Sequence, residues 1–378
     1  MKGWQSNYNK ILKRVVFMNK LNEALLYSLC GVILFLSYSC GNKERRDITA
    51  GALNTYMVGE RNDSIKVSDI SKEATAIPLD STVFLGLVHK MVNSGDSVFL
   101  LGDCGVYLFD LQDGRQKNCY EKKGRSRNEY ARIKDFDVDS VSGKIYLLCD
   151  PEKIIELTPD FQFSRSIETR GDYERLAVVD GRIYLYSYYL HKLDVLQGDT
   201  TTLLMDIPET RAWVYGESTI FHKTDAGLLF TPEPFSTIFA INGNEIKNLI
   251  HLSYPNERET MERMTKSKLE KEELFEYPFP KIAKVVVTDS IMMVTYSYAI
   301  GLRVCLIDRN NHKVIADGCQ NYILPKIGVH GSLIGEFIYY HDEDMGGFLD
   351  NANVKYTFVS QPAKETDQHV ILKYKPLP

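Results

Sequence analysis

Apolar and polar residues along the chain fall into short blocks, not into long helical stripes. Gly95-Asp96-Ser97 leads into the apolar run Val98-Phe99-Leu100-Leu101, followed by Val106-Tyr107-Leu108-Phe109 and the turn Asp113-Gly114. The unit returns as Gly143-Lys144 before Ile145-Tyr146-Leu147-Leu148 and Ile154-Ile155-Glu156-Leu157. It returns again as Gly181-Arg182 before Ile183-Tyr184-Leu185-Tyr186 and Leu193-Asp194-Val195-Leu196, and weaker copies begin at Gly227, Asp289 and Gly335. Apolar runs this short, bounded by Gly, Asp or Asn, predict strands joined by tight turns.

Aligning Val98, Ile145, Ile183, Leu229, Ile291 and Phe337 gives steps of 47, 38, 46, 62 and 46 residues. A propeller blade occupies roughly 40–50 residues. Runs that do not alternate suit strands buried on both faces, as the inner strands of a blade are. The expectation is an all-β, six-bladed β-propeller over residues 66–378, each blade a four-stranded antiparallel sheet. An array of β-sandwiches is the competing arrangement, although it does not require so regular a hairpin unit. Closing a ring takes a blade built from both chain ends, since an open edge invites pairing. Residues 74–79 (ATAIPL) and 370–374 (VILKY) are strand-like and available for it, in a pairing the sequence leaves open.

The 62-residue step contains residues 256–276, where Glu259 and Arg263, Glu262 and Lys266, and Lys268 and Glu272 lie four apart. Such pairs support an exposed helix, so one charged helical insertion is expected between blades four and five. Read plainly it is a solvated insertion; Met261, Met264, Leu274 and Phe275 would equally equip it as a lid or docking arm.

The N-terminus has a different pattern. Lys10, Lys13, Arg14 and Lys20 precede 13 residues, 24–36 (ALLYSLCGVILFL), of mostly apolar character. That is signal-peptide length and short for a membrane span. The stretch ends at Ser37-Tyr38-Ser39-Cys40, which resembles a lipobox, with Ser37 where Leu is commonest. The expectation is a lipoprotein signal peptide over residues 1–39, with Met18 as an alternative start. Cys40 would be lipidated and hold the protein to a membrane, and residues 40–65 would form a polar tether. The implied location is the cell envelope, on the outer membrane, with its periplasmic or surface face left open.

Composition narrows the chemistry. With 378 residues, 44% hydrophobic and 25% charged, the chain has the make-up of a globular protein. A net charge of -5 argues against a dedicated nucleic-acid binder. The seven cysteines include no Cys-x-x-Cys pair, and the eight histidines no His-x-x-x-His spacing, so no zinc site is signalled. Asp135, Asp137 and Asp139 do not form an EF-hand, which needs Gly at its sixth position and Glu at its twelfth, where Ser140 and Tyr146 stand. The run 341–347 (HDEDMGG) reads as an acidic turn. No metal and no cofactor are expected.

Gly124, then Glu129-Tyr130, then Asp135-Phe136-Asp137-Val138-Asp139 carry a resemblance. The chain resembles the six-bladed β-propeller lipoproteins with NHL-like repeats of Gram-negative gut anaerobes. Members carry a Gly-x-Gly-Pro-Gly-Glu-Tyr loop before a strand reading Asp-Phe-x-Val-Asp; here Ser126, Arg127 and Asn128 replace the inner Gly-Pro-Gly. The resemblance implies a fold and an envelope location, with no common activity.

Propeller ligands sit where the loops between blades converge. Arg125, Arg127, Glu129 and Tyr130 after blade one, Arg170 and Tyr173 after blade two, and Arg211, Trp213 and Tyr215 after blade three would share one face. Aromatic residues with Arg are typical of binding hot spots. The leading functional expectation is a non-catalytic platform for a protein or glycan. The alternative is a hydrolase or lyase whose residues come from several blades, with Glu129 and His330 as a candidate acid–base pair. A third option is a subunit of an envelope complex docked through residues 256–276.

Overall fold

The computed structural model describes residues 54–63, 71–86, 88–209, 219–224, 227–232, 235–266, 279–298, 301–319, 333–334, 337–340 and 370–376. The chain divides into two units, 1–47 and 48–378. The first, with the expected signal peptide and Cys40, lies outside the described residues. Among the described residues no helix is long and apolar enough to cross a membrane.

Two strands precede the blades, β1 (Asn54–Met57) and β2 (Ser71–Pro78). The first blade comprises β3 (Lys90–Ser94), β4 (Ser97–Leu101), β5 (Val106–Asp110) and β6 (Gln116–Tyr120). The second comprises β7 (Arg132–Val138), β8 (Ile145–Asp150), β9 (Lys153–Leu157) and β10 (Phe163–Glu168). The third is β11 (Arg175–Val179), β12 (Arg182–Ser187), β13 (Lys192–Gln197) and β14 (Thr200–Asp206). The fourth is β15 (Phe221–Thr224), β16 (Gly227–Phe230), β17 (Thr237–Asn242) and β18 (Glu245–Ser253), followed by helix α1 (Glu257–Lys266). The fifth is β19 (Lys281–Val287), β20 (Ile291–Tyr298), β21 (Gly301–Asp308) and β22 (Lys313–Cys319). Three strands remain, β23 (Leu333–Ile334), β24 (Phe337–Tyr340) and β25 (Val370–Pro376).

Where the repeat count predicts six blades, five fold from four consecutive strands each. The last repeat supplies β23 and β24; its sheet is completed by β25 and, at the outer edge, by β2 from the start of the chain, in the order β2-β25-β24-β23. Ile77 lies opposite Ile371 in that antiparallel pairing, which answers the question of how the end segments meet. The inner strands contact one another in the order β3, β7, β11, β15, β19, β23 and back to β3.

The apolar runs are continuous because successive side chains of an inner strand serve two different interfaces. Ile145 and Leu147 of β8 join Phe99, Leu101 and Val106 of the first blade in one cluster. Their neighbours Tyr146 and Leu148 join Leu176, Val178 and Ile183 of the third blade in another. Outer strands have only one such interface, and β14 is correspondingly exposed along most of its length. The hairpin between β11 and β12 turns on Asp180 and Gly181, both at positive φ (51° and 72°). An Asp-Gly pair suits the tight turn that matches strand twist. Cys104, Cys119, Cys149 and Cys305 are free thiols, and burial pushes the Cys149 thiol up to about 12.

Two expectations change. Within the tether expected over residues 40–65, residues 54–63 are ordered chain: β1 pairs in parallel with β18, and Tyr56 and Val58 are buried between the fourth and fifth blades. Beyond it Gly59 N donates to the Asp317 carboxylate at 2.8 Å and Asp63 N to Asp317 O at 3.1 Å, so the segment straps the two blades. The insertion does carry a helix, and Arg258 pairs with Glu262 at 3.3 Å one turn on. Met264 is fully buried, and Met261, partly buried, packs on the core between blades three and four, so both contribute to the fold. Leu274 and Phe275 lie outside the described residues.

Candidate functional site

An inner strand has a ladder partner on one side only, so its other edge must find partners elsewhere. A bulge between Ile133 and Asp135 resets β7, and the acidic residues that follow supply those partners. Asp135 accepts hydrogen bonds from Phe136 N at 2.8 Å and, through its second oxygen, from Leu176 N of β11 at 2.8 Å. Asp137 repeats this with Val138 N at 2.8 Å and Val178 N at 2.7 Å. The alternation of acids in β7 is therefore a clamp between the second and third blades. Between the fourth and fifth, His222 of β15 plays the same part: its Nδ1 accepts from Val285 N of β19 at 3.3 Å. Its Nε2 faces the Thr231 hydroxyl at 2.9 Å, and that hydroxyl reaches Ile220 O at 3.2 Å, which places the ring proton on Nε2. Burial, then the charges of Lys284 and Lys90, hold His222 well below the ordinary imidazole range.

Lysines from other blades complete the centre. Lys90 of β3 donates to Asp135 Oδ1 at 2.8 Å and to Leu176 O at 3.5 Å. Lys223 of β15 reaches Asp137 Oδ2 and Val138 O, both at 2.7 Å. Both carboxylates are almost fully buried, and buried charge is tolerated when paired and hydrogen-bonded in this way. A third lysine, Lys284 of β19, is half-buried within Coulombic range of Lys90 and Asp137. Burial, with Lys90 adding to it and Asp137 opposing, lowers its ammonium to about 7. This convergence was not legible in the chain, because Lys90, Lys223 and Lys284 share no local motif.

The residues expected on a binding face divide. Arg125, Arg127 and Arg170 are exposed on the connections that lead from an outer strand to the next inner one. Glu129 is occupied within its own loop: its carboxylate accepts from Ser126 N at 2.9 Å, which holds it below the usual carboxylate range. Gly124 makes room for it, since a Cβ there would sit 2.1 Å from the Glu129 carboxylate. Tyr130 is 1% exposed, and its hydroxyl donates to Cys104 O at 2.7 Å with Tyr120 O nearby at 3.2 Å. Tyr173 is 2% exposed and its hydroxyl donates to the Asp194 carboxylate. Both tyrosines are removed from the face, for a physical reason: a large ring with one polar end gains more by filling a blade seam with its hydroxyl satisfied. Arg211, Trp213 and Tyr215 lie outside the described residues, as does His330, so the Glu129–His330 pair finds no placement here.

The same face carries apolar side chains the sequence did not single out. Inner strand β11 begins where β12 ends and β13 begins, with Arg175 opposite Tyr186 and Ser187 opposite Lys192. The β12–β13 hairpin therefore lies at the same end as Arg170. At its tip Tyr189 is 69% exposed, and Leu190 lies against Gly171, where a Cβ would come within 2.9 Å of it. Phe84, 71% exposed, stands on the connection into β3. No simple pattern marks such residues, since a lone Tyr between turn residues reads like any strand end.

Among solved structures the chain is similar to a protein of Bacteroides fragilis described as exported, at 14% identity and a TM-score of 0.64, over 85% of this chain and 99% of that one. It is also similar to a DUF4221 family member from Bacteroides vulgatus, at 10% identity and a TM-score of 0.49, over 81% and 97% of the two chains. No curated protein matches the sequence. Residues 55–375, which take in all five consecutive-strand blades and most of the composite sheet, match the domain of unknown function DUF4934, and the chain belongs to that family.

Proposed function

We propose that the chain is an exported, lipid-anchored propeller of the cell envelope that binds a protein or glycan without transforming it. In this reading the sheet of β2 with β23–β25 is the sixth blade, and ligand meets the face formed by the outer-to-inner connections. The observation that carries it is Tyr189, which stands exposed on a hairpin seated against Gly171, next to the exposed Arg170. An exposed aromatic and a guanidinium at the same end of one blade offer stacking and hydrogen bonding together. Phe84, Arg125 and Arg127 extend the same end of the propeller. The fold similarity to an exported Bacteroides protein and the Ser39-Cys40 junction support the location.

Binding to a panel of envelope and dietary polysaccharides and to envelope proteins tests this. Tyr189→Ala with Arg170→Ala should weaken the interaction at least tenfold. Undiminished binding by that double variant removes this face from consideration.

A second reading, a hydrolase or lyase with residues drawn from several blades, is favoured by Lys284, whose amine has a depressed pKa at the centre of the ring. Turnover of glycans, lactones or peptides that disappears in Lys284→Met would support it. A screen without turnover above that background would count against it.

A further inference from the structure

Among the described residues, the centre of the propeller has more hydrogen-bond donors than its acceptors consume. Asp135 Oδ1 takes Phe136 N and Lys90, and its Oδ2 takes Leu176 N. Asp137 Oδ1 takes Val138 N, and its Oδ2 takes Val178 N and Lys223. All four carboxylate oxygens are engaged. Each lysine ammonium carries three N–H groups, so Lys90 and Lys223, with two bonds apiece, each keep one to spare. The Lys284 ammonium makes no hydrogen bond or ion pair with any described residue. The charges agree with this inventory: three lysines face two aspartates, and His222, the remaining titratable group packed here from β15, is committed as a neutral ring. Lys281 lies at the far end of β19, three residues away.

We propose that Lys284, assisted by Lys90, holds a small oxyanion, a carboxylate or a phosphate- or sulfate-like group, in the central channel. A cation is disfavoured at this position because every oxygen of Asp135 and Asp137 is already taken. An anion supplies the missing acceptors and compensates a charge that burial otherwise penalises. Since the amine of Lys284 is partly deprotonated near neutrality, oxyanion binding draws a proton from solvent onto it. This site is separate from the outer face and does not depend on that reading.

Titration calorimetry on the full chain, with sulfate and glucuronate as probes, tests the proposal. Both probes keep a constant charge between pH 6 and 9, so any pH dependence belongs to the protein. Sulfate reports on a tetrahedral group and glucuronate on a planar one. At least one should bind, with affinity falling several-fold from pH 6.5 to pH 8.5 and with proton uptake seen as a dependence on buffer ionisation enthalpy. Lys284→Met should weaken binding tenfold or more, and Lys284→Arg, always charged, should bind with a flat pH profile. Equal affinity in a folded Lys284→Met variant overturns the proposal. So does a wild-type chain that binds neither probe, or a pH dependence that persists unchanged in Lys284→Arg.

Discussion

Asp135 and Lys284 occupy the same register position on the inner strands of two blades. Each follows directly on a bulge, between Ile133 and Asp135 in one case and between Ile282 and Lys284 in the other, and they lie opposite Leu148 and Thr295 respectively. The acid at this position closes a seam by accepting a backbone N–H from the next blade. The base cannot do that, and the seam on its other side is closed from the preceding blade, where His222 accepts from Val285 N beside it. One register position thus serves structure in the second blade and is left available in the fifth.

An uncompensated lysine in a partly dry channel should cost stability. Its unfolded-state pKa is the ordinary 10.5 and its folded value is about 7. Between those values the unfolded chain binds the extra proton, so stability rises with pH through that window. Denaturation midpoints should increase from pH 7 to pH 9 in the wild type. Lys284→Met should flatten that rise and be more stable at pH 7 by roughly 1–3 kcal/mol after allowing for solvent screening.

His222 is shifted in the same direction, over a lower window. Its folded pKa lies well below the ordinary 6.5, so the unfolded chain takes up the proton first as pH falls. Stability contributed by the His222 bridge is complete above 6.5 and declines below it. Melting curves at pH 7 and pH 5 should show a loss that is reduced in His222→Gln, whose amide can accept from Val285 N without titrating. An identical acid loss in both proteins would show that other groups dominate.

The clamp at Asp137 should be the more expensive one to break. Asp137→Asn removes a buried, charged acceptor from Val138 N, Val178 N and the partly exposed Lys223, at about 1.5–3 kcal/mol. Lys223→Met should cost less, since that ammonium reaches solvent, and the double variant should cost less than the sum of the two. Equilibrium urea unfolding of the two single variants and the double variant measures the coupling directly.

The N-terminal strap should detach when its contact with β22 is blocked. A Cβ on Gly318 would lie 1.7 Å from Asp63 O, a backbone atom with little room to move. Gly318→Ala should therefore raise amide exchange across residues 54–63 while the first and second blades stay protected. Unchanged exchange in that segment would mean the strap adjusts around the methyl group.

The sequence by itself determined the strands, and much of how they are grouped. All six aligned anchors, from Val98 to Phe337, fall on the second strand of a sheet, because that strand is walled by neighbours on both faces and must be apolar throughout. The alternation in Asp135-Phe136-Asp137-Val138 identified a strand correctly, and Gly124 with Glu129-Tyr130 marked a loop whose parts do depend on each other. What only the tertiary structure decided is what those polar residues face. Tyr130 and Tyr173 turn into seams, Tyr189 turns out, and residues 54–63, too short and mixed to read as structure, become ordered because the crevice between two blades buries Tyr56 and Val58. The joining of Lys90, Asp137, Lys223 and Lys284 likewise has no signature along the chain. Residues up to about 200 positions apart become neighbours only when strands close around an axis, and periodicity reports which side of a strand a residue takes, not which distant strand it meets.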